Sequence, residues 1–85
     1  MTTNIYKKTI DVNKLNEEIE KYKCLMKEDK VYLFMNSKTN DDLFKAHFQL
    51  KLDINIRVND TRIIQLNGCS VYCDDTLQDG EVDIR

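Results

Sequence analysis

The chain has 85 residues, 41% of them hydrophobic and 33% charged, with a formal net charge of −2. That length suits one small domain, residues 1–85, and excludes a two-domain enzyme; the composition is too apolar for a disordered tail. The longest apolar run, Val31 to Met35, falls far short of the roughly 18–20 residues of a membrane-spanning helix. Met1 to Lys8 lacks the apolar stretch of a secretory signal, so the expected location is cytoplasmic, away from membranes.

In chain order, residues 4–10 read as a first strand with Ile5 and Ile10 apolar. Val12, Leu15, Ile19, Tyr22 and Met26 then recur at spacings of three and four, which predicts a helix with one apolar face. Asp11 or Asn13 supplies the N-cap oxygen. Glu17, Glu18 and Glu20 precede Lys21, Lys23 and Lys27, the charge order that the helix dipole favours. Val31-Tyr32-Leu33-Phe34-Met35 predicts a strand covered on both faces, and residues 36–42 an exposed loop.

From Phe44 to Val58 the chain alternates. Phe44, Ala46, Phe48, Leu50, Leu52, Ile54, Ile56 and Val58 are apolar, and the residues between them are polar. Period two predicts a half-buried strand rather than a helix. At roughly 3.3 Å per residue it would extend about 50 Å, whereas a chain of this length has a radius of gyration near 12 Å. The strand must therefore bend, pairing with residues 31–35 along its first half and with 62–66 along its second.

A turn at Asn59-Asp60-Thr61 places Ile54 opposite Leu66 and Ile56 opposite Ile64. Asn67-Gly68, suited to a type I′ turn, places Leu66 opposite Cys69 and Ile64 opposite Val71. Ile54, Ile56, Ile64, Leu66, Cys69, Val71 and Cys73 then face the helix, with Ile63 and Tyr72 behind. Asp79-Gly80 turns the chain into a terminal strand that carries Val82 and Ile84. The expected fold is α+β: one N-terminal helix packed on a strongly curved, mostly antiparallel sheet of five or six strands.

Catalysis finds little support. No Gly-x-Ser-x-Gly or P-loop pattern occurs, and the single His47 lies among the polar positions of the alternating stretch. The expectation is a non-enzyme without cofactor. Cys24, Cys69 and Cys73 imply no disulfide framework, and their spacing favours core residues over a zinc set with His47.

The acidity gathers at the C-terminal end, where Asp74, Asp75, Asp79, Glu81 and Asp83 face only Arg85 in charge. These five form the predicted contact set for a larger protein with a basic surface; the plainer reading is a charged edge strand that resists aggregation. An alternative is a nucleic-acid or nucleotide-binding face built from Lys45, His47, Lys51, Arg57 and Tyr72. A homo-oligomer joined through the long strand is compatible with either.

No family motif is matched. The ten Lys, eight Asn and eight Ile, with no Pro, give a composition that resembles the accessory proteins of phages and mobile elements of AT-rich bacteria. Anti-CRISPR inhibitors are among these, and the resemblance implies a phage-type inhibitor of host machinery.

Overall fold

In a computed structural model, residues 1–57, 59 and 61–85 are described. The first helix, α1, spans Val12–Met26. Asp11 is its N-cap, with the side chain accepting the Lys14 N–H at 3.0 Å. Lys27 ends it in the left-handed conformation, and its N–H reaches the Lys23 carbonyl. Leu15 and Ile19 are fully or nearly fully buried, whereas Met26, the last residue of α1, is exposed.

Strands β1 (Thr2–Asn4), β2 (Tyr32–Met35), β3 (Ile54–Ile56), β4 (Ile63–Leu66), β5 (Cys69–Cys73) and β6 (Glu81–Ile84) form one open sheet. Their order is β1-β6-β2-β5-β4-β3. The pairing is mixed: β2 runs parallel to β5, and every other neighbouring pair is antiparallel. The first strand is shorter than the 4–10 stretch expected, and only an isolated Tyr6–Ile10 bridge continues it. Val31-to-Met35 does pair on both sides, but with β5 and β6 rather than with the alternating stretch.

The alternating stretch is the main correction. It is not one long strand: α2 occupies Ser37–Leu50, and only Ile54–Ile56 joins the sheet, as β3. The bend demanded by a 15-residue strand therefore has no source, and the described residues hold two helices instead of one. On a helix, Thr39, Asn40, Leu43, Ala46, His47 and Leu50 share a side, and all are buried or half-buried. Its first turn inward is polar, which hid the helical period in the sequence. The alternation also counts Phe48 as a core residue, yet it is 85% exposed. Lys38–Asp42 and Asp41–Lys45, each 2.9 Å apart and four residues apart in sequence, brace the outer side.

The Asn67-Gly68 turn forms as expected, with both residues at positive φ (49° and 84°). Leu66 faces Cys69, and Ile54 faces Leu66. The register then slips: Ile56 pairs with Ile63, because a bulge adds a residue to β4. Ile63 is consequently fully buried and Ile64 is 44% exposed, the reverse of the sequence expectation. The 59–61 turn falls partly outside the described residues, since Asp60 and Val58 are not among them.

Polar side chains fasten α2 to the sheet. Asn36, its N-cap, accepts the Thr39 N–H at 2.8 Å and donates to Leu77 O at 3.1 Å and Asp79 Oδ1 at 2.8 Å. Thr39 Oγ1 accepts the Gly80 N–H at 2.9 Å. Asn40 grips β4 twice, donating to Ile63 O at 3.0 Å and accepting from Ile63 N at 2.8 Å. All three side chains are buried. Below them Leu15, Ile19, Leu43, Leu33, Met35, Val71, Val82 and Ile84 form one core between the helices and a single face of the sheet.

Asn40→Ala strands a buried N–H and a buried C=O of Ile63, so it is expected to cost about 2–3 kcal/mol in denaturant unfolding. A loss below about 1 kcal/mol would show that the pair contributes little. Gly80 has φ +83°, and an added Cβ would lie 2.6 Å from the Tyr6 ring and 2.9 Å from Asn4 Oδ1. Gly68 has similar φ but open space around it. Gly80→Ala is therefore expected to lower the urea midpoint clearly more than Gly68→Ala, whose cost is the backbone strain of about 1 kcal/mol alone. Equal losses would refute the packing role.

Candidate functional site: the helix-free face of the sheet

Residues directly opposite one another across paired strands share a face. Two such rows cross the side away from the core. One runs Thr2, Asp83, Phe34, Tyr72; the other runs Tyr32, Ser70, Gln65, Asn55. Among the described residues neither helix covers this side: Tyr32 is 39% exposed and Tyr72 is 49% exposed. Large aromatics left in water on a sheet face are the exception in a folded domain.

The rings are in contact. Tyr72 stacks on Phe34 with centroids 5.4 Å apart and lies 6.1 Å from Tyr32. The Arg85 guanidinium sits 4.1 Å from the Phe34 centroid, a cation–π contact. Its Nε donates to Asp83 Oδ2 at 2.8 Å, and its Nη2 lies 3.9 Å from Asp74 Oδ2. Arg85 thus spans the face from β6 toward the end of β5 and holds the ring of Phe34 from above. Toward β3, a shallow hollow of about 350 Å³ is bordered by Arg57, Arg62, Ile64, Ser70 and Tyr72.

The five predicted acidic residues do not form one free patch; each carries local hydrogen bonds. Asp75 accepts the N–H and the hydroxyl of Ser37 at 2.9 and 3.0 Å, at the start of α2. Asp79 accepts from Asn36. Asp74 closes a turn by accepting from Thr76, and Glu81 accepts the Gln78 N–H at 3.0 Å. Asp83 takes hydrogen bonds from Arg85 and from the terminal amine, the latter at 3.3 Å. Asp83 and Glu81 fall on the helix-free side by strand alternation, and Asp74, just past β5, lies near Arg85, while Val82 and Ile84 point into the core as expected.

The alternative set is divided. Arg57 and Tyr72 border the same hollow on the sheet. Lys45 and His47 stand on α2, and Lys51 is its C-cap, in the helical layer. Lys45 pairs with Asp41, and His47 lies between Phe44 and Phe48, with ring centroids 5.3 and 4.1 Å away. Lys51 instead lines a groove of about 1010 Å³ with Lys7 and Lys8, over Ile10, Val12 and Leu52.

Cys69 is buried, Cys24 and Cys73 are exposed, and no cluster of metal-ligating side chains occurs among the described residues. No described helix is long and apolar enough to cross a membrane. The sequence does not signal the aromatic cluster, because the continuous apolar run Val31–Met35 implies a strand covered on both faces. Tyr72 is distant in the chain from Tyr32 and Phe34, and only the parallel β2–β5 pairing brings them together. No protein-family model, curated protein or solved structure matches the chain.

Several carboxylates are held below their usual range. For Asp75 the cause is the Ser37 backbone N–H, then its hydroxyl. Burial pushes Asp83 up, but hydrogen bonds from Arg85 and the terminal amine outweigh it. Asp42 is lowered by the Tyr6 hydroxyl and by Lys38. A folded-state value below the unfolded one gives stability that is complete above the unfolded pKa, about 3.9, and lost as pH falls through the folded value. The melting temperature is expected to be level between about pH 5 and 7 and to drop below about pH 4. A flat profile down to about pH 2 would contradict these assignments.

Proposed function

We propose that the protein is a non-enzymatic interaction module that docks a larger protein through the helix-free face of its sheet. The observation that carries this reading is the mutually packed Tyr32–Tyr72–Phe34 cluster, with both tyrosines exposed and Phe34 capped by Arg85. Tyr, Phe and Arg are the side chains enriched at the centres of protein interfaces, where rigid rings bury much area at low entropic cost. Asp74, Glu81 and Asp83 flank the rings and favour a partner whose surface is basic. Asp75 and Asp79 support the site indirectly, by tying the 74–80 segment to the first turn of α2. Together with the phage-like composition, this describes an inhibitor that masks a basic surface by steric occlusion, in the manner of anti-CRISPR proteins.

A second reading has its own observation: Lys51 with Lys7 and Lys8 lines the groove of about 1010 Å³ over an apolar floor, an arrangement suited to a nucleotide or a strand end. One set of measurements separates the two. In affinity capture from host lysate, Tyr32→Ala/Tyr72→Ala is expected to lose the protein retained by the unaltered chain, whereas Phe48→Ala, on the helical layer, retains it. Retention by the double variant would remove the docking assignment. Binding of single-stranded oligonucleotide at low salt that disappears in Lys8→Gln/Lys51→Gln would favour the groove instead.

A further inference from the structure

The groove beside the end of α2 concentrates positive charge in an acidic chain. Three lysines and one aspartate among its lining residues give it a net charge of +2, whereas the chain as a whole carries −2. Lys7 Nζ lies 3.4 Å from Asp11, whose carboxylate also accepts the Lys14 N–H, so those two charges offset each other. Lys8 and Lys51 have no carboxylate partner among the described residues. They reach the groove from distant parts of the sequence. Lys8 stands in the turn between the bridged residues Tyr6 and Ile10, and Lys51 is the C-cap of α2.

The floor is aliphatic. Ile10, Val12 and Leu50 pack against the core yet stay half-exposed, and no aromatic ring lines the groove. Carboxamides complete the lining. Asn67 Nδ2 donates to Asn16 Oδ1 at 3.0 Å, and Asn67 Oδ1 accepts the Asp53 N–H at 3.1 Å, which fixes that end. Asn13 and Gln49 have no hydrogen-bond partner for their side chains among the described residues, so both amides are open to a ligand.

We infer that this groove binds a free nucleoside monophosphate, with Lys8 and Lys51 on the phosphate, the nucleoside on the aliphatic floor and the base edge on the Asn13 and Gln49 carboxamides. The inference rests on the reading of the groove as a nucleotide or strand-end site and chooses between those two occupants.

Charge and size fit one nucleotide. A phosphate monoester carries about −1.5 to −2 at neutral pH, which the groove's +2 neutralises. A volume of about 1010 Å³ lies at the upper end of small-molecule sites, so a whole nucleotide fits. A carboxamide presents a donor beside an acceptor, and the edges of the bases present the complementary pair.

The surroundings disfavour a continuing strand. Asn16 also borders a hollow that carries Glu17 and Glu20, and exposed Asp53 is bonded to Asn67 at the same end. A polyanion that runs on past Asn16 and Asn67 meets these carboxylates, whereas a lone phosphate does not. Single-strand sites also interleave aromatic rings with their cations, and this groove has none.

Calorimetric titration of the full chain at low salt with AMP, GMP, CMP and UMP tests the assignment. At least one of the four is expected to bind with a Kd at or below about 100 µM, and its nucleoside and inorganic phosphate at least about tenfold more weakly. Lys51 has φ +53°, a conformation that glycine adopts more cheaply at a C-cap. Lys51→Gly therefore removes the cation without loosening the helix end: the melting temperature should hold or rise while nucleotide affinity falls about fivefold or more. Asn13→Ala/Gln49→Ala should weaken the nucleotide and leave inorganic phosphate unchanged. Inorganic phosphate binding as tightly as every nucleotide, or nucleotide affinity unchanged in Lys51→Gly, overturns the inference. A 5′-phosphorylated oligonucleotide that binds more tightly than any of the four, and is lost in Lys8→Gln/Lys51→Gln, overturns the free nucleotide but keeps the groove as a strand-end site. Silence from all of these probes overturns both.

Discussion

The buried grip of Asn36, Thr39 and Asn40 on the sheet governs the rest of the architecture. These side chains join the start of α2 to Leu77, Asp79, Gly80 and Ile63, linking the loop before β6 to the first residue of β4. A buried polar group is stable only when its hydrogen bonds are complete, and here each of the three amide or hydroxyl groups has its partners. Such bonds are directional, whereas apolar packing is not. They fix where α2 crosses the sheet and so which face it covers.

With both helices committed to one face, the other has only side chains to shield it. Phe34 is half-covered by Tyr72 and by the Arg85 guanidinium, and Arg85 is in turn tethered to Asp83 and near Asp74. The carboxylates near the C-terminus thus have two duties. Asp75 and Asp79 complete the N-terminal end of α2, and Asp83 orients the cation that caps the aromatic cluster. An acidic stretch that looks like a free charged edge in one dimension is, in the folded chain, largely engaged in holding loops and one arginine in place.

The sequence made several elements legible because local physics decides them. The Leu15–Ile19 stripe with Asp11 before it forms α1, and Asn67-Gly68 forms its hairpin with the expected register at Leu66 and Cys69. The inward orientation of Val82 and Ile84 also follows from simple alternation. What failed did so for identifiable reasons. A period-two pattern from Phe44 to Leu50 is compatible with a helix once Phe48 is allowed to face water and Thr39 and Asn40 take inward positions. The bulge exchanged Ile63 and Ile64, since one inserted residue reverses every side chain beyond it.

The residue order by itself determined the composition class, α1 with its cap, the tight turn at Asn67-Gly68 and the concentration of acid after residue 67. Each depends on neighbours within a few positions. Tertiary structure alone decided that Tyr32, Phe34 and Tyr72 share one open surface and that Arg85 lies over it. Those relations depend on β2 pairing in parallel with β5 and on a helix fastened by buried amides. Long-range pairing is selected by the summed burial of the whole chain, and no local window contains it.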